Sequence, residues 1–334
     1  MSTVDSTLTG MMSDVFEHHR EKTGALCDDT LWGQLGELGL TRLTGAEDRG
    51  GSGASWLEAA ELLRAAAYHG VRAPLAEHDL LACWLLDAAG LETGDARRTV
   101  CVLENGTATE VPWASWAERV VVVWAENGTW RIADTDNVTI TPGTGIAGEP
   151  RDIVSATGLP GTEIPETLVR HLFRRGALAR GLQVCAALDR ILELSVTHAS
   201  ERTQFGRPLA KLQAVQHLVA DIAAEAALAR AATEAALREA VNNGWGALSL
   251  DYRIAVARSC AGHAAATVVR NAHQVHGAIG TTREHRLHEF TTAALAWRSE
   301  FGSVQHWDSL LTDLATAAGR DHLWQLVSTG RASA

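Results

Sequence analysis

The stretch ERTQFGRPLAKLQAVQHLVADIAAEAALARAATEAALREA, Glu201–Ala240, sets the organisation of this chain. Its second half is rich in alanine and leucine and reads as a long helix. Its first half crowds Arg202, Gln204, Phe205, Gly206 and Pro208 into a short break, and Gln213 opens the helix that follows. Glycine tolerates positive φ and proline donates no backbone N–H, so the break interrupts helical pairing locally. Beyond it, Leu209, Leu212, Val215, Val219, Ile222 and Leu228 recur near one face, which predicts a helix buried along that face. Asn242, Asn243 and Gly244 supply a C-terminal cap.

Helical signals continue on both sides. Residues 166–201 read as one long helix or two close ones, and WGALSLDYRIAVARSCAGHAAATVVRNAHQVHG, 245–277, reads as another. Long alanine-rich helices joined by short loops predict an antiparallel bundle, because small side chains let helices approach closely. Toward the N-terminus, LWGQLGELGL, SWLEAAELLRAAAYHG and PLAEHDLLACWLLDAAG are helical, and the glycine-rich loop GAEDRGGSG separates the first two. Between these helices and the bundle the character changes. TVCVLENG, RVVVVWAENGTWRIADTD and NVTITPG are β-rich, and Asn127-Gly128 is a hairpin signal. The expected fold class is α+β, mostly α. It comprises an N-terminal helical domain at 1–96, a small β domain at 97–165 and a C-terminal antiparallel helical bundle at 166–334.

Composition narrows the function. The 334 residues are 46% hydrophobic, enough for a sizeable core. With 29 Lys and Arg against 40 Asp and Glu, the net charge is −11. That excludes wholesale nucleic-acid binding and leaves room for a local basic pocket. Cys27, Cys83, Cys101, Cys185 and Cys260 show no CxxC spacing and read as reduced thiols of a cytoplasmic protein. The first residues lack the basic start, apolar core and cleavage site of a signal peptide. The sequons at Asn105, Asn127 and Asn137 then carry no glycan. No run of about 18 apolar residues predicts a membrane span.

The chemistry concentrates at two places. In the opening stretch, Arg202 offers a planar fork of donors suited to phosphate oxygens. Gln204 and Gln213 offer neutral hydrogen bonds, Phe205 a flat apolar face, and Gly206 a close backbone approach. Taken alone, the same residues also make a plain helix–helix turn. The second place is NAHQVHGAIGTTREHRLHEF, where Gln274, Gly277 and Gly280 sit at a helix junction, and a simple cap and turn is again the local alternative. His285, His288 and Glu289 lack HExxH spacing and read as a solvated helix face, so no metal is expected. His18 and His19 read as surface residues. Ser55 and Ser259 have no visible His/Asp context for nucleophilic catalysis.

Together the two segments resemble the acyl-CoA dehydrogenase family. The resemblance rests on an RxxFG turn, a glutamine eleven residues after its arginine, and a QxxGGxG turn. Arg202, Phe205, Gly206, Gln213, Gln274, Gly277 and Gly280 occupy the matching positions, and Ala278 stands where a second glycine is usual. LWGQLGELGLTRLTGAEDRGGSGAS is similar to the family's LGL…PEExGGxG segment. The resemblance implies FAD as cofactor. Arg202 would pair with the pyrophosphate, Phe205 pack on a ring system, Gln213 bond the nucleotide part, and Gln274 to Gly280 line the adenosine-diphosphate end. In the family these motifs act largely on the FAD of a neighbouring subunit.

Two departures qualify the resemblance. The family's TEPxxGSD loop and WITN-like strand, which grip the flavin ring, are missing. The family's catalytic glutamate, aligned without gaps, falls at Phe301, with Glu300 one residue early. A second family position for that base falls at Gly176. A one-residue helical offset swings a side chain by about 100°, so Glu300 is a base only if its loop shifts. Both departures resemble the shorter chain of the α2β2 heterotetramers of bacterial sterol degradation. That implies α,β-dehydrogenation of a bulky, steroid-derived acyl-CoA, passing electrons to a separate acceptor. A longer acyl-CoA dehydrogenase-like partner chain would supply the base. The alternatives are a self-sufficient homo-oligomer using Glu300 and a non-enzymatic scaffold descendant.

Overall fold

A computed structural model describes residues 4–204 and 206–331. The chain divides into two compact units, residues 1–176 and 177–334. The division falls inside the long helix that starts at Glu166.

The first unit opens with helices α1 (Ser6–Lys22), α2 (Asp29–Glu37) and α3 (Trp56–His69). Each start has a side-chain cap. Asp5 accepts from the Thr7 amide, Asp28 from that of Leu31, and Ser55 forms a capping box with Glu58. Met12 and Phe16 of α1 and Leu62 and Leu63 of α3 are buried. His19 is buried too, bonded to the Leu26 carbonyl at 3.0 Å, which corrects the surface placement expected for it.

The segment predicted as one helix from Pro74 is instead a π-helical turn, Ala76–Cys83, running into α4 (Trp84–Ala88). All eight residues of the π segment are buried, three of them polar: Glu77, His78 and Asp79. The wider turn is therefore filled with groups that need partners. His78 Nδ1 accepts from the Arg98 amide at 3.0 Å. Asp79 Oδ2 accepts from the Thr44 amide and hydroxyl at 2.9 and 3.0 Å. Burial holds the His78 pKa down to about 3 and pushes that of Asp79 up to about 6.

The β layer follows as two small sheets. β1 (Arg98–Leu103), β3 (Arg119–Glu126), β4 (Thr129–Thr135) and β7 (Thr162–Ile164) form one, in the order β1-β3-β4-β7, with β1 and β3 parallel. β2 (Thr107–Pro112), β6 (Arg151–Ser155) and β5 (Thr139–Thr141) form the other, in that order and antiparallel. Val120–Val123 of β3 are 0–2% exposed, so this strand is covered on both faces, as its unbroken apolar run requires. Each such valine contributes on the order of 1.5–3 kcal/mol by burial. The β3–β4 hairpin turns at Asn127 (φ 50°) and Gly128 (φ 80°), the two positive-φ residues that its Asn-Gly predicts.

From Glu166 the chain is helical: α5 (Glu166–Glu201), α6 (Gln213–Asn243), α7 (Leu250–His276), α8 (Leu287–Trp297) and α9 (Val304–Thr329). Residues 166–201 are thus one helix, and α6 begins at the expected Gln213. The buried stripe of α6 is Ile222, Ala226, Ala229, Thr233, Ala236, Leu237 and Ala240. Leu228, expected on the buried face, is 56% exposed. Alanines predominate in the seam, and Leu228 precedes one of them, Ala229, by about 100° of helical rotation. Among the described residues no helix is long and apolar enough to cross a membrane, and all five cysteines are free thiols.

Candidate functional site

The Arg202 break folds as a minimal hairpin. β8 (Thr203–Gln204) pairs antiparallel with β9 (Arg207–Pro208) across Gly206, whose φ of +75° suits glycine. The Arg202 carbonyl accepts from the Leu209 amide at 2.9 Å, closing the loop. A 3₁₀ turn, Leu209–Lys211, then leads into α6. Phe205 lies outside the described residues.

The second motif sits at the end of α7. Gln274 is in its last turn, Gly277 ends the helix at φ +64°, and Gly277–Thr281 form a 3₁₀ turn. Ala278 lies outside the positive-φ region, so an alanine fits where the family pattern has glycine. Gly280 is buried against His276 and Leu287, with no room for a side chain.

The fold brings the two motifs together. Ala199 and Leu209, flanking the hairpin, share a buried cluster with Val275 of α7. One turn before Arg202, the His198 ring stacks on that of His276 at 4.5 Å. Around this junction Arg202, Gln204, Gln213 and Gln274 are exposed. Their side-chain polar groups take no hydrogen-bond or ion-pair partner among the described residues. The result is a patch of unused donors at one end of the bundle, with a guanidinium beside backbone that can be approached closely.

The three positions considered for a base look quite different. Gly176 is a buried residue of α5 and Phe301 sits at φ +55° just past α8. Glu300 does carry a carboxylate, but it is engaged. Its Oε2 accepts from Nε of Arg180 at 2.7 Å, and Arg180 is buried, also donating to Gln183 Oε1 at 2.6 Å. Arg258, only 1% exposed, lies alongside. Its Nη2 donates to the carbonyls of Trp297, Arg298 and Glu300 at 3.1, 2.9 and 2.8 Å, capping the end of α8. Desolvation lowers the Arg258 pKa to about 10, with Glu300 opposing that shift.

This network was not anticipated from the sequence. A signal was present: Arg258 falls in register with Ile254, Ala261 and Ala265, so the helical period places a charge on a buried face. The stretch HRLHE was misplaced as a solvated face. His285, His288 and Glu289 are all partly buried, and α8 starts only at Leu287. Ser55 is a helix cap. Ser259 and His263 both bond Asp308, at 2.6 and 2.9 Å, which orients the histidine to the carboxylate rather than to the hydroxyl.

A first unit of helices and small sheets, followed in the chain by an antiparallel bundle with two glycine-containing turns at one end, has the acyl-CoA dehydrogenase fold. Residues 167–305 match the family model described as "Acyl-CoA dehydrogenase, C-terminal domain". That stretch belongs to the C-terminal domain family of the acyl-CoA dehydrogenases. It is 28% identical over 270 residues to acyl-CoA dehydrogenase IpdE2 of Mycolicibacterium smegmatis, covering 78% of this chain and 79% of that one. Its fold is similar to the ChsE4-ChsE5 complex from Mycobacterium tuberculosis, with TM-score 0.83, 21% identity, and 95% and 99% of the two chains covered. It is also similar to the Tcur3481-Tcur3483 steroid ACAD, with TM-score 0.82, 20% identity, and 93% and 97% covered. Acyl-CoA dehydrogenases are FAD-dependent flavoproteins.

Proposed function

We propose that this chain is the cofactor-sharing, non-basic subunit of a hetero-oligomeric acyl-CoA dehydrogenase. The observation that carries the reading is the engagement of Glu300 by the buried Arg180. A general base needs a carboxylate free to take a proton from substrate, and an ion-paired one is already committed. With Gly176 and Phe301 at the other two positions, the base comes from a second, longer acyl-CoA dehydrogenase-like chain in an α2β2 assembly. The relatives support this arrangement, since one similar structure is a two-protein complex and another is named as a steroid ACAD. The substrate class is accordingly a bulky, steroid-derived acyl-CoA, desaturated between its α and β carbons, with electrons passed on to a separate acceptor.

The patch at the bundle end fits FAD. Arg202 supplies a charge-assisted fork for the pyrophosphate, Gln213 bonds the nucleotide, and Gln204, Gln274 and the Gly277–Gly280 turn bracket the adenosine-diphosphate end, with Phe205 against a ring. Bound there, FAD supplies the hydride acceptor for the oxidation. An apolar groove of about 430 Å³ between α5 and α6, lined by Leu192, Val196, Ala199, Val215, Val219 and Ala223, suits a partner subunit beside that patch.

The test is flavin stoichiometry. The chain purified alone is expected to bind little FAD, and co-purification with its partner is expected to give about one FAD per pair of unlike chains. One tightly bound FAD per copy of this chain alone would overturn the shared-site reading.

A further inference from the structure

Five histidines gather where α5, α7 and the segment before α8 meet: His198, His273, His276, His285 and His288. Three of them are packed ring to ring. His198 stacks on His276 at 4.5 Å, His276 meets His285 edge-on at 4.6 Å, and His198 meets His285 at 6.0 Å. Each of these three offers a ring nitrogen lying within 4.8 Å of the other two.

His276 is the fixed member. It is 95% buried, being 5% exposed, and its Nδ1–H donates to the Ala272 carbonyl at 2.8 Å. That bond sets the tautomer, so Nε2 carries the lone pair. Nε2 is shut off from solvent and has no hydrogen-bond partner among the described residues. Buried acceptors are nearly always satisfied, so an unused one among other imidazoles asks for a ligand. A backbone carbonyl orienting one ring nitrogen while the other points at a shared space is also how proteins hold metal-binding histidines. His198 is partly exposed, and its ring nitrogens have no hydrogen-bond partner among the described residues.

We propose that His198, His276 and His285 form a binding site for a late first-row divalent metal ion, with zinc as the chemical type. Imidazole nitrogen suits zinc, copper and nickel, and three protein ligands leave a fourth position for water. Zinc–nitrogen bonds of 2.0–2.1 Å put tetrahedral ligand atoms about 3.4 Å apart. The three nitrogens, all within 4.8 Å of one another, therefore draw closer by ring rotation at His198 and His285, while His276 stays in place. His285 Nδ1 accepts from the Leu287 amide at 3.1 Å, so its proton sits on Nε2. Ligation through Nε2 moves that proton to Nδ1 and gives up the Leu287 amide bond, and each of the three metal–nitrogen bonds replaces a water on the incoming ion.

The test uses the full chain, stripped with a chelator and titrated at pH 7.5 with cobalt(II) followed by visible absorption, then with zinc as competitor. One cobalt per chain is expected, with the intense bands of four-coordinate cobalt, bleached by one equivalent of zinc. His198→Gln and His285→Gln are each expected to weaken binding at least tenfold, using loss of an outer-shell group as the lower bound. Both are partly exposed positions, and circular dichroism checks their fold. The neighbouring His288→Gln is expected to bind as wild type. Absence of saturable binding at one per chain would overturn the site. So would unchanged affinity in both ligand variants, because the 14 histidines of the chain offer other places for an ion.

Discussion

Arg202 presents a guanidinium with no hydrogen-bond or ion-pair partner among the described residues, close to a glycine that holds a positive φ. Such a group is stabilised by an anionic ligand and contributes little to the fold without one. A charge-assisted bond of this kind is worth about 1.5–3 kcal/mol. Arg202→Ala should therefore leave thermal stability near wild type and weaken FAD retention roughly 10- to 150-fold, measured by cofactor loss on dialysis of the assembled complex. Arg202→Lys should recover only part of that, since a point charge does not reproduce a two-pronged fork. Unchanged retention in the alanine variant would remove Arg202 from the cofactor site. Glu300 behaves in the opposite way. Glu300→Ala takes the carboxylate away from the buried Arg180 and should lower stability by about 3 kcal/mol in urea unfolding. Glu300→Gln keeps an acceptor for Arg180, and flavin bleaching by substrate in a single turnover should run close to the wild-type rate. A loss of about 100-fold or more with FAD still bound would make Glu300 the base after all.

At the scale of the element, the π-helical turn pairs two buried groups whose titrations oppose each other. His78 has its folded pKa depressed to about 3 from 6.5, so the unfolded chain binds more protons between those values. Its contribution is present above pH 6.5 and lost as pH falls toward 3. Asp79 has its folded pKa raised to about 6 from 3.8, so the folded chain binds more protons in that interval. Its contribution is present below pH 3.8 and lost as pH rises through 6. The two offset one another between pH 4 and 6. Asp79→Asn should uncover the histidine, giving a urea midpoint that drops more steeply on acidification across this window than in wild type. His78→Gln should reverse the trend. Parallel profiles in all three proteins would mean the pair does not titrate as a unit.

Across the whole molecule, legibility followed backbone chemistry. Asn127-Gly128 announced its hairpin because both positions need positive φ, and Asn243-Gly244 announced the end of α6 for a related reason. The Arg202 and Gly277 motifs could be read as turns but not as neighbours. What joins them is the contact of Ala199, Leu209 and Val275, residues too ordinary to mark a site. Leu228 is apolar yet lies off the α6 seam, where alanines predominate beside Ile222, Thr233 and Leu237. The Arg180–Glu300 pair spans 120 residues, and no local pattern reports a partner that far away. The π turn was hidden for a third reason, since Glu77, His78 and Asp79 are consecutive polar residues that an ordinary helical period would not bury together.

The clamp that Arg258 places on the segment after α8 bears on how this lineage can change. Three carbonyls in four residues are held by one nitrogen, and the next residue, Phe301, is fixed in a left-handed conformation uncommon for anything but glycine. Trp307 then pins the Gly302 carbonyl at 3.0 Å. A carboxylate regained at position 301 by one substitution would arrive on a backbone already fastened on both sides. Placing a usable base at 301 thus calls for concerted change at 258, 300 and 301. On the shared-site reading proposed above, a division of labour between two chains is kept by folding stability as much as by selection on catalysis.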